Sequence, residues 1–80
     1  MSEITPGQCR AARALIGLSQ GDVAKASAVS EKTLADFERE ARKPYARTLA
    51  AIQAALEAAG VEFIPENGGG AGVRLRKEAL

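Results

Sequence analysis

The sequence predicts a mainly α-helical fold, a compact four-helix unit carrying a helix-turn-helix and followed by a C-terminal β-hairpin. Three observations predict it. Apolar residues recur at helical spacing as far as about residue 59, Ser, Thr, Gly and Pro punctuate the helical stretches, and beyond Gly60 the period shortens to 2. At 80 residues the chain is one folding unit at most. Residues 1–60 make its helical part and residues 61–80 a hairpin tail, a candidate dimerisation element.

Thr5-Pro6-Gly7-Gln8 reads as a helix start, with Thr5 as cap, Pro6 at the first helical position and Gln8 three residues after the cap. Cys9, Ala12, Leu15 and Ile16 form its inward face, and Gly17 permits the left-handed stop, so the first helix spans about 5–16. Ser19 caps a short second helix with Val23 and Ala24 inside, and Ser27-Ala28-Val29-Ser30 ends it. Ser30 caps a third helix to about Arg39, with Leu34 and Phe37 inward and Val29 and Leu34 at the positions of a hydrophobic staple. A hinge this short forces the sharp crossing of a helix-turn-helix.

Residues 39–47 form a basic connector that Pro44 keeps from being helical. A fourth, alanine-rich helix over about 46–59 carries Leu49, Ile52, Leu56 and Ala59 inward, with Gly60 as its cap and Tyr45 packed against it. Val61 to Ile64 and Val73 to Arg76 are strand-like around the turn Asn67-Gly68-Gly69-Gly70, with Val61 and Phe63 answered by Val73 and Leu75. A lone hairpin is marginal in water, so this one must lie on the helices or on another subunit. Residues Lys77 to Leu80 are expected to fray.

Composition removes several function classes. Apolar residues are 46%, charged residues 26% and the formal charge +1, an ordinary globular balance. Without histidine there is no imidazole acid–base catalysis, Ser–His triad or imidazole metal site. Cys9 alone makes neither an internal disulfide nor a Cys-rich zinc site, and its place on the apolar face reads as core. Asn67 to Gly72 is glycine-rich but lacks the Gly-Lys-Ser/Thr ending of a phosphate loop. The expectation is therefore no enzyme, no cofactor, no metal and no small-molecule ligand. No apolar run is long enough to cross a membrane, and the N-terminal residues lack a signal-peptide pattern, so the expected location is cytoplasmic.

The central signal runs from Leu18-Ser19-Gln20-Gly21-Asp22-Val23-Ala24 through Val29-Ser30-Glu31-Lys32-Thr33-Leu34 to Phe37-Glu38. A helix held from behind by Val29, Leu34 and Phe37 leaves the polar run Glu31, Lys32, Thr33 outward and is narrow enough for a major groove about 12 Å wide. Gln20 opening the second helix, small Ala24 four later, and the turn, Leu34, Phe37 and Glu38 in this order resemble the phage-repressor and Cro-like helix-turn-helix family of the XRE type, lambda-repressor-like in fold, over roughly residues 9–60.

That resemblance implies that Glu31, Lys32 and Thr33 face bases with Asp36 further along, that Gln20 with Ser19 lies at the phosphate backbone, and that Arg13 and Glu38 pair across two helices. The alternative for Arg13 and Glu38 is a pair of solvated surface charges. Arg39, Arg42, Lys43 and Arg47 flank the third helix as candidate phosphate clamps, or else form a solvated loop. Arg74, Arg76 and Lys77 are a second basic patch or a charged guard on a strand edge. Two departures stand out: Ala28 occupies the turn position where the family commonly has Gly, and Glu40 replaces the Gly after the third helix. The implied function is a sequence-specific DNA-binding transcriptional regulator of a bacterium or phage, a homodimer on a palindromic duplex site. The alternative is a protein-interaction module, antitoxin-like or an adaptor subunit, using the same helices.

Overall fold

The computed structural model describes residues 3–77, so the expected fraying beyond Lys77 lies outside the described residues. The elements follow in the order α1 (Pro6–Ile16), α2 (Gln20–Ser27), α3 (Glu31–Glu38), α4 (Ala46–Ala58), β1 (Val61–Ile64) and β2 (Gly72–Leu75). Three helices begin on side-chain caps. The Thr5 hydroxyl accepts from the Gln8 N–H, Ser19 from Asp22 and Ser30 from Thr33, and Gln8 and Asp22 return the bond to the cap backbone. Asp22 stands three residues after Ser19, the spacing that lets its carboxylate accept from the cap N–H.

The turn between α2 and α3 contains Ala28 in the left-handed conformation at φ 58°, and Glu40 after α3 lies at φ 62°. Each costs about 1 kcal/mol relative to glycine. Both are held by bonds back onto the preceding helix: Val29 N–H donates to Ala24 O at 3.0 Å, and Ala41 N–H to Asp36 O at 2.8 Å.

One core joins all the elements. Cys9 and Ala12 of α1, Leu34 of α3, Ile52 and Leu56 of α4 and Val61 of β1 are each wholly inaccessible to solvent. The hairpin is antiparallel with Val61 opposite Leu75 and Phe63 opposite Val73, the pairing expected from alternation, and it lies on α1 and α4. Gln8 fastens it there. Its Nε2 donates to Ile64 O at 3.2 Å and Gly72 O at 2.8 Å, so one buried amide caps α1 and closes both strands onto it.

Four expectations about packing are corrected. Leu15 is 45% exposed, because at 100° per residue it stands about 120° from Cys9, on the rim of the stripe. Ala59 is exposed, because α4 stops at Ala58 and the chain turns at Gly60 (φ 117°), which is buried instead. Tyr45 is 76% exposed, since it caps α4 with an extended backbone and its ring lies outside the helix, 5.9 Å beneath the Arg47 guanidinium. Leu75 shares the inward face of the hairpin but is 38% exposed at its end.

Candidate nucleic-acid interface

The third helix has a buried back and an open front. Leu34, Phe37 and Glu38 are buried behind it, whereas Ser30, Glu31 and Lys32 are exposed and Thr33 is half-buried. The apolar positions fall on one side because they are spaced by 3 and 4 residues, which also puts residues 32, 36 and 39 together on the other.

Behind α3, the Glu38 carboxylate joins three helices. Arg13 donates to it bidentately, Nε to Oε2 at 2.7 Å and Nη2 to Oε1 at 2.6 Å, Gln20 Nε2 donates to Oε1 at 2.9 Å, and Cys9 Sγ donates to Oε2 at 3.1 Å. The Glu38 backbone carbonyl accepts from Arg10, and Arg13 Nη1 also reaches Leu18 O at 3.2 Å in the loop before α2. The Glu38 side chain is only 3% exposed. Burial alone pushes its carboxyl up, but the bonds from Arg13, Gln20 and Cys9 prevail and hold it below the usual carboxylate range. The same burial, with the bond to Glu38, pushes the Cys9 thiol up, so Cys9 is a protonated donor inside the core and no reactive thiolate.

In front, Asp36 performs a similar operation at the surface. Its Oδ2 accepts from Lys32 Nζ at 3.2 Å and its Oδ1 from Arg39 Nη2 at 2.6 Å. Arg39, then Lys32, holds the Asp36 carboxyl below its ordinary range. Ser30 Oγ donates to Thr33 Oγ1 at 2.8 Å, so the two hydroxyls of the first turn are also coupled. Glu31 leans back: a Cβ placed on Gly21 would stand 3.4 Å from Glu31 Oε1, so this carboxylate lies over the start of α2.

The residues expected at the phosphate backbone divide into two groups. Ser19 Oγ accepts the Asp22 N–H at 3.0 Å as a cap, Gln20 spends one amide hydrogen on Glu38, Arg39 is held by Asp36, and Lys43 Nζ pairs with Glu3 Oε1 at 3.0 Å. Arg42 and Arg47 have no acidic partner among the described residues. Arg42 borders a cavity of about 150 Å³ between α3 and the connector, shared with Lys32, Thr33, Asp36 and Pro44. On the hairpin, Arg74 is paired with Glu62 by two bonds of 3.2 and 3.1 Å. The bonds of Asp36 were legible in sequence spacing, whereas Gln20–Glu38, Cys9–Glu38 and Lys43–Glu3 join positions whose distance in sequence carries no such signal.

Two short helices crossing at a tight turn, the second braced from behind and open along its first turn, define a helix-turn-helix domain. A sequence model described as helix-turn-helix matches residues 10–63, and the chain belongs to this family, the XRE-type, lambda-repressor-like family of DNA-binding regulators. The match takes in Arg13, Gln20 and Glu38 and ends within β1. No curated protein matches the chain. Among the described residues no helix is long and apolar enough to cross a membrane, and no cluster of His, Cys, Asp and Glu could hold a metal ion.

Proposed function

We propose that the protein is a sequence-specific transcriptional regulator of the cytoplasm that binds palindromic duplex DNA as a homodimer. The observation that carries this reading is the open first turn of α3 set on a fixed back: Glu31 and Lys32 are exposed while Leu34 and Glu38 beneath them are buried. A rigid helix end of this kind enters a major groove without reordering. Glu31, Lys32 and Thr33 then face base edges, with Asp36 further along the same side. Arg42 and Arg47 are the readiest phosphate contacts. Arg39, Lys43, Ser19 and Gln20 join them from positions where each already has an internal partner.

One short helix reads too few base pairs for useful specificity, and a two-fold dimer on half-sites about 34 Å apart doubles them. The hairpin and the outer side of α4 are the surfaces assigned to that dimer, and sedimentation velocity at high protein concentration checks the assignment, a monomer counting against it. Selection from a random duplex pool tests the whole reading. Wild-type protein enriches a palindrome, and Lys32→Ala enriches a different one; no saturable binding to any duplex at low salt would overturn it.

A second reading, a module that docks a protein partner, is favoured by one feature. The outer side of α3 carries Glu31 and Asp36, and two of the connector cations, Arg39 and Lys43, are already matched by acids, which weakens attraction to phosphate.

A further inference from the structure

We propose that Asp36 is a positioning residue for recognition: it holds Lys32 along the outer side of α3 and so sets which base pair Lys32 reads, without contacting a base itself. This rests on the DNA-binding reading above. A carboxylate on a groove-facing helix can accept from cytosine N4, but only if it stands clear of its neighbours and reaches into the groove. Both Asp36 oxygens are engaged, one by Lys32 Nζ at 3.2 Å and the other by Arg39 Nη2 at 2.6 Å. Its side chain is 13% exposed, against 81% for Lys32 and 68% for Arg39.

The anchor is fixed where the cations are free. Asp36 forms a wall of the cavity shared with Arg42 and Pro44, and its backbone carbonyl accepts from Ala41 N–H at 2.8 Å, so side chain and main chain are both tied to the connector. Lys32, by contrast, is a flexible four-carbon stem with three donors. Spending one donor on Asp36 fixes the direction of the stem and leaves two for the acceptor pair of a guanine edge. An exposed pair like this adds little to stability. Its effect is to order Lys32 before the duplex arrives, so less side-chain freedom is lost on binding. The cluster of two cations and one acid keeps a net charge of +1, so Asp36 also moderates attraction to any phosphate.

The test is a double-mutant cycle on two duplexes, the one most enriched by wild-type protein from a random pool and a scrambled duplex of the same composition. The ratio of the two affinities is read for wild type, Lys32→Ala, Asp36→Asn and the double variant, each first checked for an unchanged thermal transition. The expected result is a ratio lowered about tenfold by Asp36→Asn, corresponding to the loss of one good base contact, and no further fall when Asp36→Asn is added to Lys32→Ala. Equal tightening on both duplexes with an unchanged ratio would show that Asp36 only repels phosphate, and would overturn the proposal. An undiminished fall in the Lys32→Ala background would overturn it too, by making Asp36 itself a reader. If wild type binds neither duplex saturably, the DNA-binding reading fails first and takes this inference with it.

Discussion

Glu38 and Asp36 stand two residues apart on one short helix, each a carboxylate accepting from an arginine, with two further side chains on Glu38 and one on Asp36, yet they differ in environment. Glu38 is buried among donors from α1 and α2, so its bonds tie separate helices together. Asp36 receives donors from its own helix and its C-terminal cap, both from long exposed side chains. Burial separates their roles. In a poorly screened interior, removing one partner strands the others, whereas at the surface water replaces whatever is lost. One face of α3 is therefore fixed in place and the other can be adjusted by a ligand.

The largest expected effect tests the buried side. Glu38→Ala leaves Arg13, Gln20 and Cys9 without their acceptor and is expected to cost about 3 kcal/mol, read as a shift in the urea midpoint at unchanged slope. A loss below about 0.5 kcal/mol would erase the distinction between the two carboxylates.

Acid titration sharpens it. The Glu38 carboxyl is held below its ordinary value in the folded chain, so its contribution is complete above the unfolded carboxylate range, about pH 4.3, and is lost as pH falls through the lower folded value. Thermal unfolding followed from pH 6 to pH 2 should show this loss, and Glu38→Gln should flatten it. Because Asp36 is depressed in the same direction by its exposed partners, Asp36→Asn should flatten the curve much less.

The hinge that presents both faces comes next. Ala28→Gly removes the left-handed penalty at φ 58° and should stabilise the fold by up to about 1 kcal/mol, reduced by the extra freedom glycine gives the unfolded chain. A destabilised variant would mean that the methyl group makes contacts outweighing its strain.

The smallest effects on stability belong to the exposed side. Lys32→Ala and Asp36→Asn should each change unfolding by within about 0.5 kcal/mol while altering duplex selection. Arg42→Ala should leave stability alone and lower the log–log salt slope of duplex binding by about 1. If Arg42→Ala left that slope unchanged, the connector would not lie on the phosphates.

Much of the architecture was legible in the residues. Thr5, Ser19 and Ser30 announced three helix starts, and the alternation of Val61, Phe63, Val73 and Leu75 gave the strand pairing. These are local signals, since a cap or a period acts within a few residues. Rim positions were less legible. Leu15 and Tyr45 carry apolar surface, but one stands at the edge of the α1 stripe and the other before the first turn of α4, and both are exposed.

By itself the sequence determined which segments are helical, where they stop, and which polar residues lie along the front of α3, because hydrogen bonding and side-chain period are properties of short stretches. Only the tertiary structure decided what each charge is used for. Gln8 closing the hairpin, Gln20 turned inward to Glu38 and Lys43 taken by Glu3 all depend on the approach of segments distant in the chain. The worth of a charge follows from its depth and neighbours, and both exist only once the helices have packed.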